Sequence, residues 1–388
     1  MTVETITLGC RLNFAESATI AREALPDEDW IVVNSCAVTN EAVRQTRQAI
    51  RRAHARNPDA KILVTGCAAE LEPRTFENMP EVARVLGNSR KLSAFASNDV
   101  IASVPAGMLA KVKSFVGVQT GCDHRCTFCS IWKARGQSRS LPFEAVRDAV
   151  ACEIDRGAKE IVLTGVDVTD YEGGLGRLCQ RLLIAEPRLE RLRLSSLDSI
   201  EVDDALHELI ATERRLLPHF HLSLQAGDDL ILKRMKRRHS RRDAIRVVER
   251  IKNARAEATI GADLIAGFPT ETEEMALNTL NLLQDCDVIA AHIFPFSPRP
   301  GTAAARMPQV ERETVKARAA RLRLVAADRR KRWLKSLVGS TQPILVEGEN
   351  QGHTDHFAPV AVAHAKRGES GLARITGSDG ERLTAVWA

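Results

Sequence analysis

"VQTGCDHRCTFCSIWKARG", residues 118–136, carries three cysteines within eight positions: Cys122, Cys126 and Cys129. The spacing C-x3-C-x2-C supplies three soft ligands and leaves a tetrahedral site one ligand short. The stretch follows an apolar segment, "KSFVGVQ" (113–119), that reads as a strand. Ligands just beyond the end of a parallel strand stand where α/β barrels carry their active sites.

Reading downstream, "EIVLTGV" (160–166), "RLRLSS" (191–196), "HFHLSL" (219–224), "IGADLIAGF" (260–268) and "VIAAHIF" (288–294) repeat the strand pattern, with helix-length segments between them. Six β–α repeats suit an open, partial (β/α)6 barrel better than a closed eight-stranded one. The Pro-rich "FPFSPRPGT" (294–302) closes this unit, and a basic helix is expected near 311–337.

Reading upstream, "ETITLG" (4–9), "WIVVNS" (30–35) and "KILVTG" (61–66) read as buried parallel strands alternating with helices near 13–24 and 41–55. That alternation implies a small doubly wound parallel α/β domain. A linker is expected at 97–111. The last fifty residues change to short alternating strands, "QPILVEGE", "HFAPVAVAHA", "LARITG" and "RLTAVWA", which read as a small β-barrel. The expected division is therefore 1–100, 112–338 and 339–388.

A second cysteine set emerges once the strands are placed. Cys10, Cys36 and Cys67 each end a predicted parallel strand. Open α/β sheets bind ligands at that edge, so three thiols distant in sequence are expected to converge. Cys152, Cys179 and Cys286 share no spacing and read as small hydrophobes. For the 122–129 set, zinc and an iron–sulfur cluster both remain open on spacing alone, with His124 as the fourth ligand in the zinc case.

Composition narrows the function further. No apolar run approaches the roughly 20 residues that cross a bilayer, and no export leader is visible, so a soluble, cytoplasmic protein is expected. Nine cysteines in such a chain point to metal or redox chemistry rather than disulfides. The net charge is only +5, but Lys and Arg concentrate at 232–255 and 315–335, which suggests a polyanionic partner such as RNA. Dinucleotide, P-loop, zinc-protease and serine-hydrolase motifs are absent.

The ordered stretches "TLGCRLNFAES", "VVNSCAVT", "VTGCAAE", "GCDHRCTFC", "ARGQSRS", "LTGVD", "RLSSLD", "DLIAGFPTET" and "FPFSPRPGT" resemble the radical S-adenosylmethionine methylthiotransferases across essentially the whole chain. "TLGCRLN" and "HLSLQAGDDLILKRMKRRHSR" resemble most the branch acting on threonylcarbamoyladenosine in tRNA. The isopentenyladenosine branch and a ribosomal-protein branch remain as alternatives, and a non-catalytic, metal-stabilised RNA-binding protein is the reading from another class. The segment with "GHTDHFAPV" resembles the family's RNA-binding TRAM barrel.

The resemblance implies two 4Fe–4S clusters and S-adenosylmethionine. Cys122, Cys126 and Cys129 would hold the cluster that chelates and cleaves the cofactor, and Cys10, Cys36 and Cys67 the one that carries the sulfur. Gly165, Asp167, Ser195, Ser196, Gln225 and Gly267, at strand ends, are candidate cofactor contacts. Lys233, Arg234, Lys236, Arg237, Arg238, Lys366, Arg367 and Arg374 are candidate RNA contacts, with Phe128 or Trp132 as stacking surfaces. A tRNA substrate, an electron donor of flavodoxin or ferredoxin type, a monomer and no membrane are the expected partnerships. The chain departs from the family where Ser130, Ile131 and Trp132 stand in place of a frequent Ile-Ile-Pro.

Overall fold

Runs such as Ile31–Val32–Val33 and Ile62–Leu63–Val64 are apolar on both sides of the strand, and so must be covered on both faces. The computed structural model, which describes residues 3–23, 29–91 and 112–388, satisfies this with a parallel sheet of order β1 (Val3–Thr7), β2 (Trp30–Ser35), β3 (Lys61–Gly66) and β4 (Arg84–Val85). Ile31, Val33, Ile62 and Val64 pack with Val43 and Ile50 of α2 (Asn40–Arg56). Val32 and Leu63 pack on the other face with Ile20 of α1 (Arg11–Glu23). Two short helices, α3 (Cys67–Leu71) and α4 (Pro73–Glu77), precede the short β4, which the sequence pattern did not announce. The expected linker at 97–111 lies outside the described residues.

The central unit begins with β5 (Lys113–Gly117) and a two-stranded ribbon, β6 (Gln119–Thr120) with β7 (Arg139–Ser140), that brackets the cysteine loop and α5 (Ile131–Arg135). Then follow α6 (Phe143–Asp155), β8 (Glu160–Thr164), α7 (Leu175–Ala185), β9 (Leu192–Leu194) and α8 (Asp204–Thr212). The second half contains β10 (His219–Gln225), α9 (Asp229–Met235), α10 (Arg241–Ala254), β11 (Thr259–Ala266), α11 (Glu273–Asp285), β12 (Val288–Pro295) and the long basic α12 (Arg312–Ser336). The parallel sheets β5-β8-β9 and β10-β11-β12 join through bridges Leu192–Leu216 and Leu197–Leu222, giving the six-stranded open barrel.

Helix α1 of the first unit packs on β5, with Phe14 on Phe115 at a ring separation of 6.3 Å.

The C-terminal strands β13 (Thr341–Gly348), β14 (Gln351–Thr354), β15 (Pro359–Val362), β16 (Ser370–Ser378) and β17 (Leu383–Trp387) form a closed barrel of order β13-β14-β15-β17-β16. The expected strand over 356–365 is shorter than its pattern. Residues 355–358 instead form a turn that seats Phe357 between His219 and His353, with ring separations of 5.3 and 4.7 Å. No helix among the described residues is long and apolar enough to cross a membrane.

Candidate metal centres

Each N-terminal cysteine follows a strand at the carboxyl edge of the sheet: Cys10 after β1, Cys36 after β2, Cys67 after β3. Gly9 and Gly66 turn the chain there with φ of +98° and +94°, the region open to glycine. A side chain at Gly9 would meet Cys36 Sγ at 2.7 Å, so the first two cysteine loops lie against each other. Asn13 ties them, donating to the carbonyls of Leu8 (2.8 Å) and Ser35 (3.0 Å). Cys36 and Cys67 are buried, whereas Cys10 stands at the exposed rim. Burial, with smaller contributions from Cys10 and Cys67, pushes the Cys36 thiol up to about 11. Mutual influence of that kind places the three thiols together, as the strand-edge argument requires.

The barrel set is held by the loop's own backbone. Cys122 N–H donates to Gly136 O and Cys129 N–H to Cys126 O, both at 3.1 Å, and Thr127 N–H to Met235 O at 3.0 Å. Burial pushes Cys122 up to about 12 and Cys129 to about 11, and Cys126 adds to both. Ile131 N–H donates to Cys129 Sγ at 3.4 Å, and the Trp132 N–H also favours its thiolate. A proline at 132 would lack that donor, so the Ser-Ile-Trp departure changes what faces the ligand. The Trp132 ring lies under Arg125 and Lys133, 4.8 and 5.3 Å from its centre.

Two buried guanidiniums complete the sites. Arg135 Nε donates to Cys67 Sγ at 3.3 Å, and Arg237 Nη1 approaches Cys126 Sγ at 3.8 Å. The two sets also feel each other, since Cys67 raises the proton affinity of Cys129. Clustered thiols with N–H donors and cations already aimed at sulfur fit an anionic metal–thiolate group.

His124 lies beside the barrel cysteines, its ligand atom within 4.8 Å of those of Cys122 and Asp167. Its Nε2 donates to Asp167 Oδ2 at 2.7 Å, with Glu201 at 3.6 Å. These carboxylates, Asp167 foremost, hold its pKa up at about 10, so the nitrogen keeps its proton at neutral pH. Arg238 Nη2 also lies 3.0 Å from Nε2, but a protonated nitrogen cannot accept. Glu201 holds both cations: burial would raise its pKa, yet bonds from His124 and Arg238 bring it down to about 2.

The six expected cofactor residues all lie at or just past the carboxyl ends of β8 to β11. Ser195 Oγ is buried and has no partner among the described residues, which leaves it available to a ligand. Gln225 adopts φ of +66° at a bulge in β10, a strained conformation for a non-glycine residue. Ser196 is half-buried beside Ser195. Asp167 is engaged by His124 and by Thr169 Oγ1 at 2.6 Å. Gly165 packs against Gln119 and Gly267 against Val315, with Gly267 N–H on Glu271 Oε2 at 2.9 Å; packing accounts for both glycines.

Among the expected RNA contacts, Lys233, Lys236, Lys366, Arg367 and Arg374 are exposed. Lys233, Lys236 and Arg238 line an open depression beside α9, with Asp229 and Asp243 also on its wall. Arg234 is half-buried and reaches Thr270 O at 3.3 Å, and exposed Arg238 is paired with Glu201. Arg237 also borders that depression, but its side chain is 8% exposed and bonded to Asp198 Oδ2 at 2.8 Å and Ser223 O at 3.0 Å. Phe128 is likewise spent on packing, edge-on to Phe268 at 6.5 Å.

The barrel interior adds a cluster that the sequence reading missed. Asp263 Oδ1 accepts from His221 Nε2 (3.0 Å) and His292 Nδ1 (3.1 Å). Burial would raise the Asp263 pKa, but these two imidazoles hold it below the ordinary carboxylate range. Arg11 lies within electrostatic range of Asp263 and Arg193. That neighbouring cation opposes a metal ion here and marks a polar lining. The signal was period-2 alternation: His219, His221 and Ser223 share the face opposite Phe220 and Leu222.

The open six-stranded barrel with a three-cysteine loop at its carboxyl mouth defines the class of radical S-adenosylmethionine enzymes. Residues 116–283 match the family model described as the radical SAM superfamily, and residues 2–87 one described as uncharacterized protein family UPF0004. A threonylcarbamoyladenosine tRNA methylthiotransferase MtaB of Rickettsia prowazekii is 43% identical over 382 residues, 92% of this chain and 91% of its own length. A tRNA-2-methylthio-N(6)-dimethylallyladenosine synthase of Ruegeria sp. is 32% identical over 97% and 96%. The solved radical S-adenosylmethionine methyltransferase TsrM of Kitasatospora setae, 15% identical, shares the fold with a TM-score of 0.53 over 75% of this chain and 68% of its own.

The chain belongs to the radical SAM methylthiotransferase family. It is accordingly a transferase of the radical S-adenosylmethionine kind.

Proposed function

We propose that this protein attaches a methylthio group to C2 of threonylcarbamoyladenosine, the adenosine immediately 3′ of the anticodon, in tRNA. The observation that carries the reading is the pair of cysteine sets, one at each α/β carboxyl edge, joined by Arg135, which follows the barrel cysteines and reaches Cys67 Sγ at 3.3 Å. The higher identity to the threonylcarbamoyladenosine enzyme than to the dimethylallyladenosine enzyme favours the first substrate.

Cys122, Cys126 and Cys129 are the ligands of the barrel cluster, and Cys10, Cys36 and Cys67 those of the second. The bound groups supply radical generation from S-adenosylmethionine and sulfur for transfer, chemistry that an unactivated aromatic C–H demands. The chain's own part is positioning. Backbone bonds fix the cysteine loop, His124–Asp167–Glu201 stiffen the mouth, and Ser195, Ser196 and Gln225 contact the cofactor. Holding the adenosine between the two sites is the protein's main contribution to rate.

Residues 1–100, 112–338 and 339–388 are the working units. Lys233, Lys236, Lys366, Arg367 and Arg374 contact tRNA phosphates. A small flavodoxin- or ferredoxin-like donor supplies electrons to a monomeric, cytoplasmic enzyme.

Mass spectrometry of tRNA nucleosides from strains with and without the gene tests the substrate. Loss of 2-methylthio-threonylcarbamoyladenosine on deletion is expected. Its persistence at normal level, or loss of the isopentenyl analogue instead, overturns the assignment.

A further inference from the structure

The helix following the barrel cysteines carries a side chain into the other unit. Arg135 ends α5, six residues beyond Cys129, and its side chain is only 2% exposed. Besides the Nε contact to Cys67 Sγ, Nη1 donates to Glu16 Oε1 (2.8 Å) and Thr120 Oγ1 (3.2 Å). Nη2 donates to Asn13 Oδ1 (2.7 Å) and Glu16 Oε2 (3.0 Å). These contacts use all five N–H groups of a guanidinium. Asn13 is the same side chain that ties the Cys10 and Cys36 loops, so one hydrogen-bond network touches all three N-terminal ligand loops. Asn88 closes it from the other side, donating to Ala134 O at 2.7 Å and reaching Cys67 Sγ at 3.8 Å.

Among the described residues the charge count in this network does not close. Lys91, 2% exposed, is paired with the same Glu16. Two buried cations therefore share one carboxylate, and an unmatched buried charge is costly. The remaining unit of positive charge faces Cys67, where an anion would balance it. The barrel side differs: Arg237, near Cys126, is matched by Asp198.

We propose that Arg135 is a positioning residue for the N-terminal cluster, orienting Cys67 through its N–H···S contact and raising that cluster's reduction potential above the barrel cluster's. This rests on the two-cluster reading. An uncompensated cation and an N–H···S bond both favour the more negative, reduced cluster. The compensated Arg237 leaves the barrel cluster at low potential, as reductive cleavage of a sulfonium requires.

The test is a redox titration of the anaerobically reconstituted full chain, followed by electron paramagnetic resonance, with C126A used to assign the N-terminal signal. In R135Q the N-terminal midpoint should move to a more negative potential while the barrel midpoint stays. R135K, which keeps the charge, should remain close to wild type. The proposal is overturned by an unmoved N-terminal midpoint in R135Q with iron retained, by equal movement of both midpoints, or by R135K falling as far as R135Q. Should R135Q lose the N-terminal cluster, retention in R135K supports the charge role and loss in both overturns it. A wild-type chain with only one cluster would instead refute the two-cluster reading.

Discussion

Arg193 Nε and Glu160 Oε1 pair at 2.8 Å on the floor of the partial barrel, each side chain 1% exposed. Glu160 also holds Arg191 (3.2 Å) and Lys113 (3.4 Å), so one carboxylate serves three cations. The C-terminal barrel is fastened here, with Asp355 on Arg191 and the Phe357 ring beneath Lys113 and Arg193 at 4.7 and 4.9 Å. Glu160→Gln would leave buried Arg193 without its anion, while Arg191 keeps Asp355 and Lys113 keeps Glu347, and a loss of about 3–5 kcal/mol is expected from denaturant unfolding. An unchanged midpoint would mean the floor is not a stabilising seam.

His219 sits in that seam, its Nδ1 2.9 Å from Thr259 Oγ1. Burial, then the Arg193 charge, lowers its pKa well below 6.5. The unfolded chain therefore binds a proton that the native state refuses. Stability is full above about pH 6.5 and declines as pH falls below it. Melting temperatures between pH 7 and 5 should drop less steeply in His219→Gln than in wild type; equal slopes would remove His219 from the linkage.

Cys126→Ala and Cys67→Ala should each lower iron from about eight to about four per chain after anaerobic reconstitution. Both should reduce methylthiolation of tRNA to background. Full activity in Cys126→Ala would refute the cluster assignment itself.

Exposed Lys233 and Lys236 should contribute to tRNA affinity through phosphates. Replacing both with Ala should reduce the slope of log K against log salt by about 1.4–1.8, at 0.7–0.9 per contact. Arg237→Gln should leave the slope unchanged, because its guanidinium is turned to Asp198. Anisotropy titrations across a salt series give both numbers, and an equal fall in the Arg237 variant would contradict its inward role.

The cysteine spacing, the apolar strands and their order were legible because they are local. Ligands cluster in the loop after β6, and runs such as Ile31–Val33 demand cover wherever they occur. The convergence of Cys10, Cys36 and Cys67 was legible for a related reason: parallel strands bring their carboxyl ends to one edge. The pairing of Arg237 with Asp198 was not legible because a basic run looks the same whether a side chain points to solvent or to a carboxylate, and α9 ends in a left-handed turn at Lys236 (φ +62°) that redirects the chain. Arg135 stood in plain view within "ARGQSRS", yet nothing local assigns it to Cys67, 68 residues away.

The sequence by itself determined the cysteine spacing, the alternation of strand and helix, and the family, since each depends on residue type along the chain. Only the tertiary structure decided which charges are buried together. It turned Arg237 to Cys126, set Arg135 and Lys91 around one Glu16, and brought Phe357 to the barrel floor. Charge pairing depends on distances between segments remote in sequence, and desolvation makes those distances, rather than composition, decide the energy.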